Sequence, residues 1–223
     1  MAFQLDSASM KALQETMRGL VNSLEERVAA GDLTAIPPLS ELHRHGALGV
    51  PVNHQKAYEL VKNGKEKGDL ICMILYHTFN LTDDPLFAKK KEEALLFLDH
   101  HRKNQYALAY LGDYYLRKGE DAMGLPMLLQ AAENGIPFAL HEYGMHYVNH
   151  RKMPHKFIYG MSFLVKAVAQ GHIASVAEYG RILCEEEGHL SDRIGGLQML
   201  QLAIEAGCSR AADYFRPVHT HFM

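Results

Sequence analysis

The sequence has few cysteines, and they are far apart. Cys72, Cys184 and Cys208 are odd in number, and no two of them form a Cys-x-x-Cys pair. This pattern favours neither a disulfide framework nor a cysteine-ligated zinc site. We therefore expect the chain to reside in a reducing, cytoplasmic environment.

Long hydrophobic runs and an excess of either charge are also missing. No apolar run is long enough to span a bilayer, and the first residues lack the basic-then-apolar order of a signal peptide. The formal net charge is −3, and the basic run at 89–91 is followed at once by Glu92 and Glu93, as on a solvated helix face. We expect neither nucleic acid nor a membrane as a partner.

The stretch HEYGMHYVNH at 141–150 resembles a zinc-hydrolase helix but does not have its spacing. That motif needs two histidines four residues apart with a glutamate between them. His141 and His146 are five apart, which places them roughly 140° apart around a helix. His146 and His150 have the four-residue spacing, but Tyr147, Val148 and Asn149 supply no general base between them.

Other chemical signatures are absent as well. GMS at 160–162 lacks the final glycine of a nucleophile elbow, and NGKEKGD at 63–69 lacks the serine or threonine of a phosphate loop. The chain has fourteen histidines, and several of them cluster: His43 with His45, His100 with His101, and His141 with His146, His150 and His155. Carboxylates and cysteines do not join them at ligand spacing, which disfavours a metal site. We expect no enzyme activity and no cofactor.

A repeat runs through the second half of the chain. The tripeptide EYG at 142–144 recurs at 178–180, an offset of 36 residues. Gly135, Gly171 and Gly207 are separated by the same interval and close the similar segments QAAENG, KAVAQG and LAIEAG. Small residues followed by a polar residue and glycine are typical of a helix C-terminus. Offsets of this size indicate stacked helical repeats.

A second pattern follows Gly135 and Gly171 and also occurs earlier in the chain. It reads ALAYLGDYY at 107–115, ALHEYGMHY at 139–147 and SVAEYGRIL at 175–183. Glycine in the middle of a helix is unfavourable unless a neighbouring helix needs to approach closely. We interpret Gly112, Gly144 and Gly180 as packing positions between helices.

These segments, together with GVPVNHQKAYELVKNGKEKGD, resemble the Sel-1-like repeat family over about residues 37 to 215. The family consists of helical hairpin repeats related to tetratricopeptide repeats. The resemblance implies an all-α superhelix (solenoid) of about five antiparallel hairpins, with a concave inner surface that binds other proteins. It also implies a role as adaptor, scaffold or regulator rather than enzyme.

We divide the chain into an amphipathic N-terminal helix within 1–35, a solenoid at 36–217 and a tail at 218–223, because Pro217 is expected to break the last helix. An apolar stripe marks the first segment: Met10, Leu13, Met17, Leu20, Leu24 and Val28. Asp6 or Ser7 is suited to cap this helix, and Gly31 to end it. The stripe either covers the core of the first repeat or forms the seam of a homodimer, since its spacing is nearly a heptad.

Since the resemblance places the first helix of each hairpin on the concave face, we predict partner-binding residues there. They are Tyr106, Asp113, Arg117, His141, Met145, Asn149, Arg181 and Glu185. Such a mixture of charge, methionine and imidazole suits a polypeptide better than a phosphate backbone. The leading hypothesis is an adaptor or regulator. The alternative is an inhibitor or immunity-type protein that blocks one enzyme or toxin.

Overall fold

The computed structural model of the chain describes residues 7–81, 90–149, 153–185 and 192–219. These residues form twelve α-helices and a short 3-10 turn at Leu33–Ala35, joined by loops. The helices are α1 (Ser7–Ala29), α2 (Ile36–His45), α3 (His54–Glu66), α4 (Leu70–Phe79), α5 (Lys91–His100), α6 (Gln105–Arg117), α7 (Asp121–Glu133), α8 (Pro137–Val148), α9 (Pro154–Ala169), α10 (Ile173–Glu185), α11 (Arg193–Glu205) and α12 (Ser209–His219).

Helices α2 to α11 pair in order into five hairpins, and α12 packs on the last of them. The most extensive helix contacts lie within the hairpins, between α6 and α7, α8 and α9, and α10 and α11. Contacts between successive hairpins, such as α7 with α8, build the solenoid. The prediction of an all-α solenoid of about five hairpins is confirmed.

The recurring glycines end the second helix of each of the last three hairpins. Gly135, Gly171 and Gly207 have φ values of 79°, 72° and 83°, a conformation that only glycine adopts without strain. Their N–H groups donate to carbonyl oxygens three residues earlier at 2.8–2.9 Å. A carbonyl at the helix end is thereby satisfied, and the chain turns into the next hairpin.

Pairs of glycines bring the two helices of a hairpin into backbone contact. A Cβ placed on Gly160 of α9 would lie 2.6 Å from the carbonyl oxygen of Gly144 in α8. The same reciprocal approach joins Gly112 to Gly124 and Gly180 to Gly196. The packing interpretation of the first-helix glycines therefore holds, and each has a glycine partner in the second helix. The partners Gly124, Gly160 and Gly196 are again 36 residues apart.

Helix α1 closes the solenoid instead of covering only its first hairpin. Met10, Met17, Val21 and Leu24 are buried in one apolar cluster with α2 and the last helices, α10 to α12. Near its end, the side chain of Glu25 binds Lys56 of α3 at 2.7 Å. The buried stripe departs from the predicted one at Leu20, which is 46% exposed, because an apolar face of period 3.6 passes through Val21 instead.

The loop between α2 and α3 also reaches across the solenoid. Ala47 forms bridges with Val50 and with His172, and the N–H of Leu48 donates to the carbonyl of Gly171 at 3.3 Å. The first hairpin is thus joined to the segment that enters the fifth. This contact draws the array into a tight turn, whose interior the loop and α1 partly fill.

Helix α12 continues past Pro217 to His219, so the predicted break at this proline was wrong. Proline removes one backbone N–H, and in the last turn this loses a single hydrogen bond while the rest of the helix is already formed. Other sequence-based expectations, among them the cap at Asp6, His150 and the end of the tail at 220–223, lie outside the described residues.

The glycine contact predicts opposite effects for two glycine-to-alanine substitutions. Gly160→Ala places a methyl group against the backbone of α8, and we expect it to lower the free energy of unfolding by about 1–3 kcal/mol. Gly19→Ala on α1 meets no atom within 4 Å and should raise it by up to about 1 kcal/mol. Urea denaturation of both variants measures the difference. Equal effects would contradict close helix contact at Gly160.

The burial of α1 predicts a strong contrast between two leucines of the same helix. Leu24→Ala empties a buried site, where Leu24 is 3% exposed, and should destabilise the monomer by about 2–5 kcal/mol. Leu20→Ala should cost less than about 1 kcal/mol.

The homodimer hypothesis is tested by the oligomeric state of the wild-type protein and of Leu24→Ala. Because the stripe is buried within the chain, the melting temperature should not depend on protein concentration, and light scattering at micromolar concentrations should return the monomer mass. A dimer mass that Leu24→Ala abolishes would instead favour the seam.

Candidate functional site: the inner face of the solenoid

The first helices of the hairpins face one another on the inside of the solenoid. His45 at the end of α2 stacks on Phe138 of α8, with ring centroids 4.6 Å apart, and lies 5.9 Å from Tyr110 of α6. The second helices carry exposed apolar side chains, among them Ile158 at 65% and Ile194 at 72%. Functional side chains directed inward are therefore supplied by α2, α6, α8 and α10.

Several of the predicted residues lie half-buried along this face. Asp113 binds Arg117 one turn later at 3.0 Å, and Arg117 also donates to the carbonyl of Leu81 at 3.1 Å. Tyr106 borders a cavity, and Met145 packs at the edge of the apolar core. Asn149 is exposed at the end of α8.

Arg181 is the centre of a charged cluster on α10 and α12. Its guanidinium binds Glu178 at 2.9 Å and Glu185 at 2.5 Å. Glu178 is 3% exposed and also accepts a hydrogen bond from Tyr214 at 2.6 Å and one from Arg210 at 3.4 Å. A buried carboxylate with three donors is well compensated, so the cluster fixes α12 against α10.

His141 is buried, contrary to its predicted place on the binding surface. It is 4% exposed, and its Nδ1 lies 2.9 Å from the hydroxyl of Ser175 in α10. Burial lowers the pKa of His141 to about 3, so the ring is neutral. The residue lies three positions before the packing glycine, and the equivalent Ala109 and Ala177 are buried as well.

Ser175 and its two histidine neighbours resemble a nucleophile with a base, but they form a closed network. The hydroxyl also lies 2.9 Å from Nδ1 of His172, and all three residues are buried. The backbone N–H of Ser175 donates to the same nitrogen of His172. A catalytic serine needs contact with substrate, whereas Ser175 is 0% exposed. The trio therefore joins α8 to α10, and the expectation that the chain is not an enzyme stays a prediction.

Sequence analysis missed a set of inward residues that lie one position after His141 and its equivalents in the other repeats. Tyr110, Glu142 and Glu178 each stand two residues before a packing glycine and face inward. The recurring EYG tripeptides contained this signal, since they place a glutamate at the same inward position in two repeats. Burial, with Asp113 and Glu178 adding repulsion, raises the pKa of Glu142 to about 8.

A cavity of about 370 Å³ opens between α1, α2, α6 and α8. Glu41 lies in it and accepts a bifurcated hydrogen bond from the hydroxyl of Tyr110, at 2.8 and 3.0 Å. The same hydroxyl lies 2.6 Å from Nε2 of His45. Burial raises the pKa of Glu41 and holds that of His45 well below its usual value.

No group of three metal-ligating side chains converges within the described residues. The same part of the chain contains no helix that is long and apolar enough to cross a membrane.

The raised pKa of Glu142 predicts a stability that falls with rising pH. The folded protein retains a proton that the unfolded chain releases above pH 4.5, so this stabilisation is full below pH 4.5 and is lost as the pH rises through about 8. Glu142→Gln keeps the neutral shape, and relative to wild type it should gain roughly 1–3 kcal/mol between pH 5 and pH 9. Exposed Glu133→Gln is the control. Parallel pH profiles for wild type and Glu142→Gln would contradict the shift.

No family model matches the sequence, and no curated protein matches it. Solved structures do match. A Sel1 repeat protein from Oxalobacter formigenes, 12% identical, superposes with a TM-score of 0.51 over 90% of this chain and 98% of that chain. A protective antigen of uropathogenic Escherichia coli strains that displays an SLR fold, 18% identical, has a TM-score of 0.56 over 89% of this chain and 44% of that chain. This chain thus spans less than half the length of the antigen.

An immunity protein from Pseudomonas aeruginosa is 21% identical and superposes over 94% of this chain and 86% of that chain. Its TM-score of 0.45 is too low to carry a functional argument. At these identities, the two structures with higher TM-scores show a shared fold. The protein has the Sel1-like repeat fold that the resemblance of its sequence predicted.

Proposed function

We propose that the protein is a helical-repeat adaptor or regulator that binds a polypeptide along the inner face of α6, α8 and α10. The observation that carries this proposal is a row of equivalent positions. Asp113, Met145 and Arg181 each follow a packing glycine by one residue, and each is half-buried on successive inner helices. Such a row presents one side chain from each repeat to an extended partner.

The chemistry of the row favours a polypeptide partner. The row consists of a carboxylate, a flexible methionine and a guanidinium group, and ion pairs of Asp113 with Arg117 and of Arg181 with Glu178 balance the charges locally. A nucleic acid would require cations that are not already paired with acids. Methionine adapts to irregular apolar surfaces and is frequent at interfaces that accept peptides.

Because His141 is buried, we remove it from the predicted partner-binding surface. Since His141 is held within the core by Ser175, its substitution would act on stability and not directly on binding. The exposed or half-buried residues Tyr106, Asp113, Arg117, Met145, Asn149, Arg181 and Glu185 remain as proposed contacts.

We expect a paired substitution on the inner face to weaken partner binding. Met145→Ala with Arg181→Gln removes an apolar contact and a charge, while the glutamine amide can still donate to Glu178. A few such side chains dominate most interfaces, so the affinity for a captured partner should fall at least about ten-fold. Affinity capture from a native extract, followed by calorimetry with the purified partner, measures this change.

A matched pair on the outer face provides the control. Met123→Ala on α7 with Arg102→Gln after α5 makes the same chemical changes at exposed positions. This variant should leave the affinity unchanged. Equal affinity for wild type and the inner variant, or a loss in the outer variant alone, would place binding elsewhere. Circular dichroism confirms that both variants are folded.

The inhibitor or immunity-type role remains the alternative within this proposal. It uses the same inner face, and it differs in the consequence of binding. If the captured partner is an enzyme, steady-state inhibition at stoichiometric concentrations favours the inhibitor, whereas unchanged turnover favours the adaptor.

A further inference from the structure

The cavity beside α1 has properties that the inner-face row does not explain. Its walls are mainly apolar and come from several parts of the chain, among them Met17 and Leu20 on α1, Leu42 on α2, and Ile136 and Phe138 at the start of α8. Its volume of about 370 Å³ lies in the range of cavities that hold small ligands.

A carboxylate in this apolar cavity has no bonded cation among the residues that the structure describes. Glu41 accepts hydrogen bonds from the neutral hydroxyl of Tyr110. The guanidinium of Arg44 is held between the rings of Phe79 and Tyr110 at 4.1 Å from each centroid, and it donates to the hydroxyl and carbonyl of Thr78. Arg44 therefore contributes its field to Glu41 without forming an ion pair with it.

The histidines of the cavity do not supply the missing charge. Nε2 of His45 lies 3.8 Å from the carboxylate, but burial keeps the pKa of His45 well below its usual value, and the same holds for His172. Both rings are neutral at physiological pH. A carboxylate in apolar surroundings is unfavourable unless it is paired, so a bound cation would relieve this condition.

Aromatic rings complete the environment that a cation prefers. Tyr106 and Phe138 line the same cavity, and the ring face of an aromatic residue attracts ammonium groups. A carboxylate combined with aromatic and aliphatic walls matches a molecule that has one positive end and an apolar body. An anionic or strongly polar molecule would lose its hydration without compensation.

We propose that this cavity binds a small hydrophobic amine, whose ammonium group donates to the carboxylate of Glu41 and whose apolar body lies against Leu42, Ile136 and Phe138. The proposal rests on Glu41 and Leu42, which lie outside the row of inner-face residues on α6, α8 and α10; Tyr106 alone belongs both to the cavity and to the proposed polypeptide contacts.

Isothermal titration calorimetry of the full chain with 4-phenylbutylamine, and with 4-phenylbutan-1-ol as its uncharged counterpart, tests this proposal. We expect saturable binding of the amine with one site per chain and at least ten-fold weaker binding of the alcohol. In Glu41→Gln the amine should bind at least ten-fold more weakly and the alcohol as before, because the glutamine carbonyl still accepts from Tyr110.

Two further variants test the location of the amine. Leu42→Trp fills the cavity and should abolish binding of the amine, while Glu59→Gln on the exposed face of α3 should leave it unchanged. Absence of saturable amine binding would overturn the proposal, as would equal binding of amine and alcohol, or amine binding that persists in Leu42→Trp. Thermal unfolding of each variant verifies that the fold is retained.

Discussion

Backbone contact between the two helices of a hairpin is the constraint on which the rest of the structure depends. At Gly144 and Gly160 the helices approach until the carbonyl of one lies where a side chain of the other would begin. The same contact recurs between Gly112 and Gly124 and between Gly180 and Gly196. Because hairpins of the same thickness stack regularly, the first helices line up on one side of the array and the second helices on the other.

Regular stacking alone would leave an open concave surface, but this chain fills part of it. The loop after α2 pairs with the segment around His172, and α1 lies across the first hairpin and the last helices. These contacts close the array and bury much of its apolar interior. They also form the cavity beside Glu41, whose walls include residues of α1, α2, α6 and α8.

Polar groups inside this closed array separate into satisfied and unsatisfied ones. Glu178 has three donors and fixes α12, and His141 shares the hydroxyl of Ser175 with His172. Glu41 and Glu142 have raised pKa values, since burial opposes their ionised forms and no cation from the described part of the chain is bonded to them. Buried polar groups that stability does not require are the features from which binding roles are inferred.

The sequence by itself determined the repeat, the helix ends and the packing glycines, because these depend on local spacing and on the conformational freedom of glycine at positions such as Gly135 and Gly171. It also indicated the apolar stripe of α1. Only the tertiary structure decided the surroundings of each inward position: His141 and Glu142 are neighbours in sequence, yet His141 lies in the core, whereas Glu142 is half-buried on the inner face. A rotation of about 100° per residue separates these environments. Contacts between distant helices decide which side of each helix lies on the inner face. The cavity at Glu41 arises in the same way, from segments that meet only when the solenoid closes.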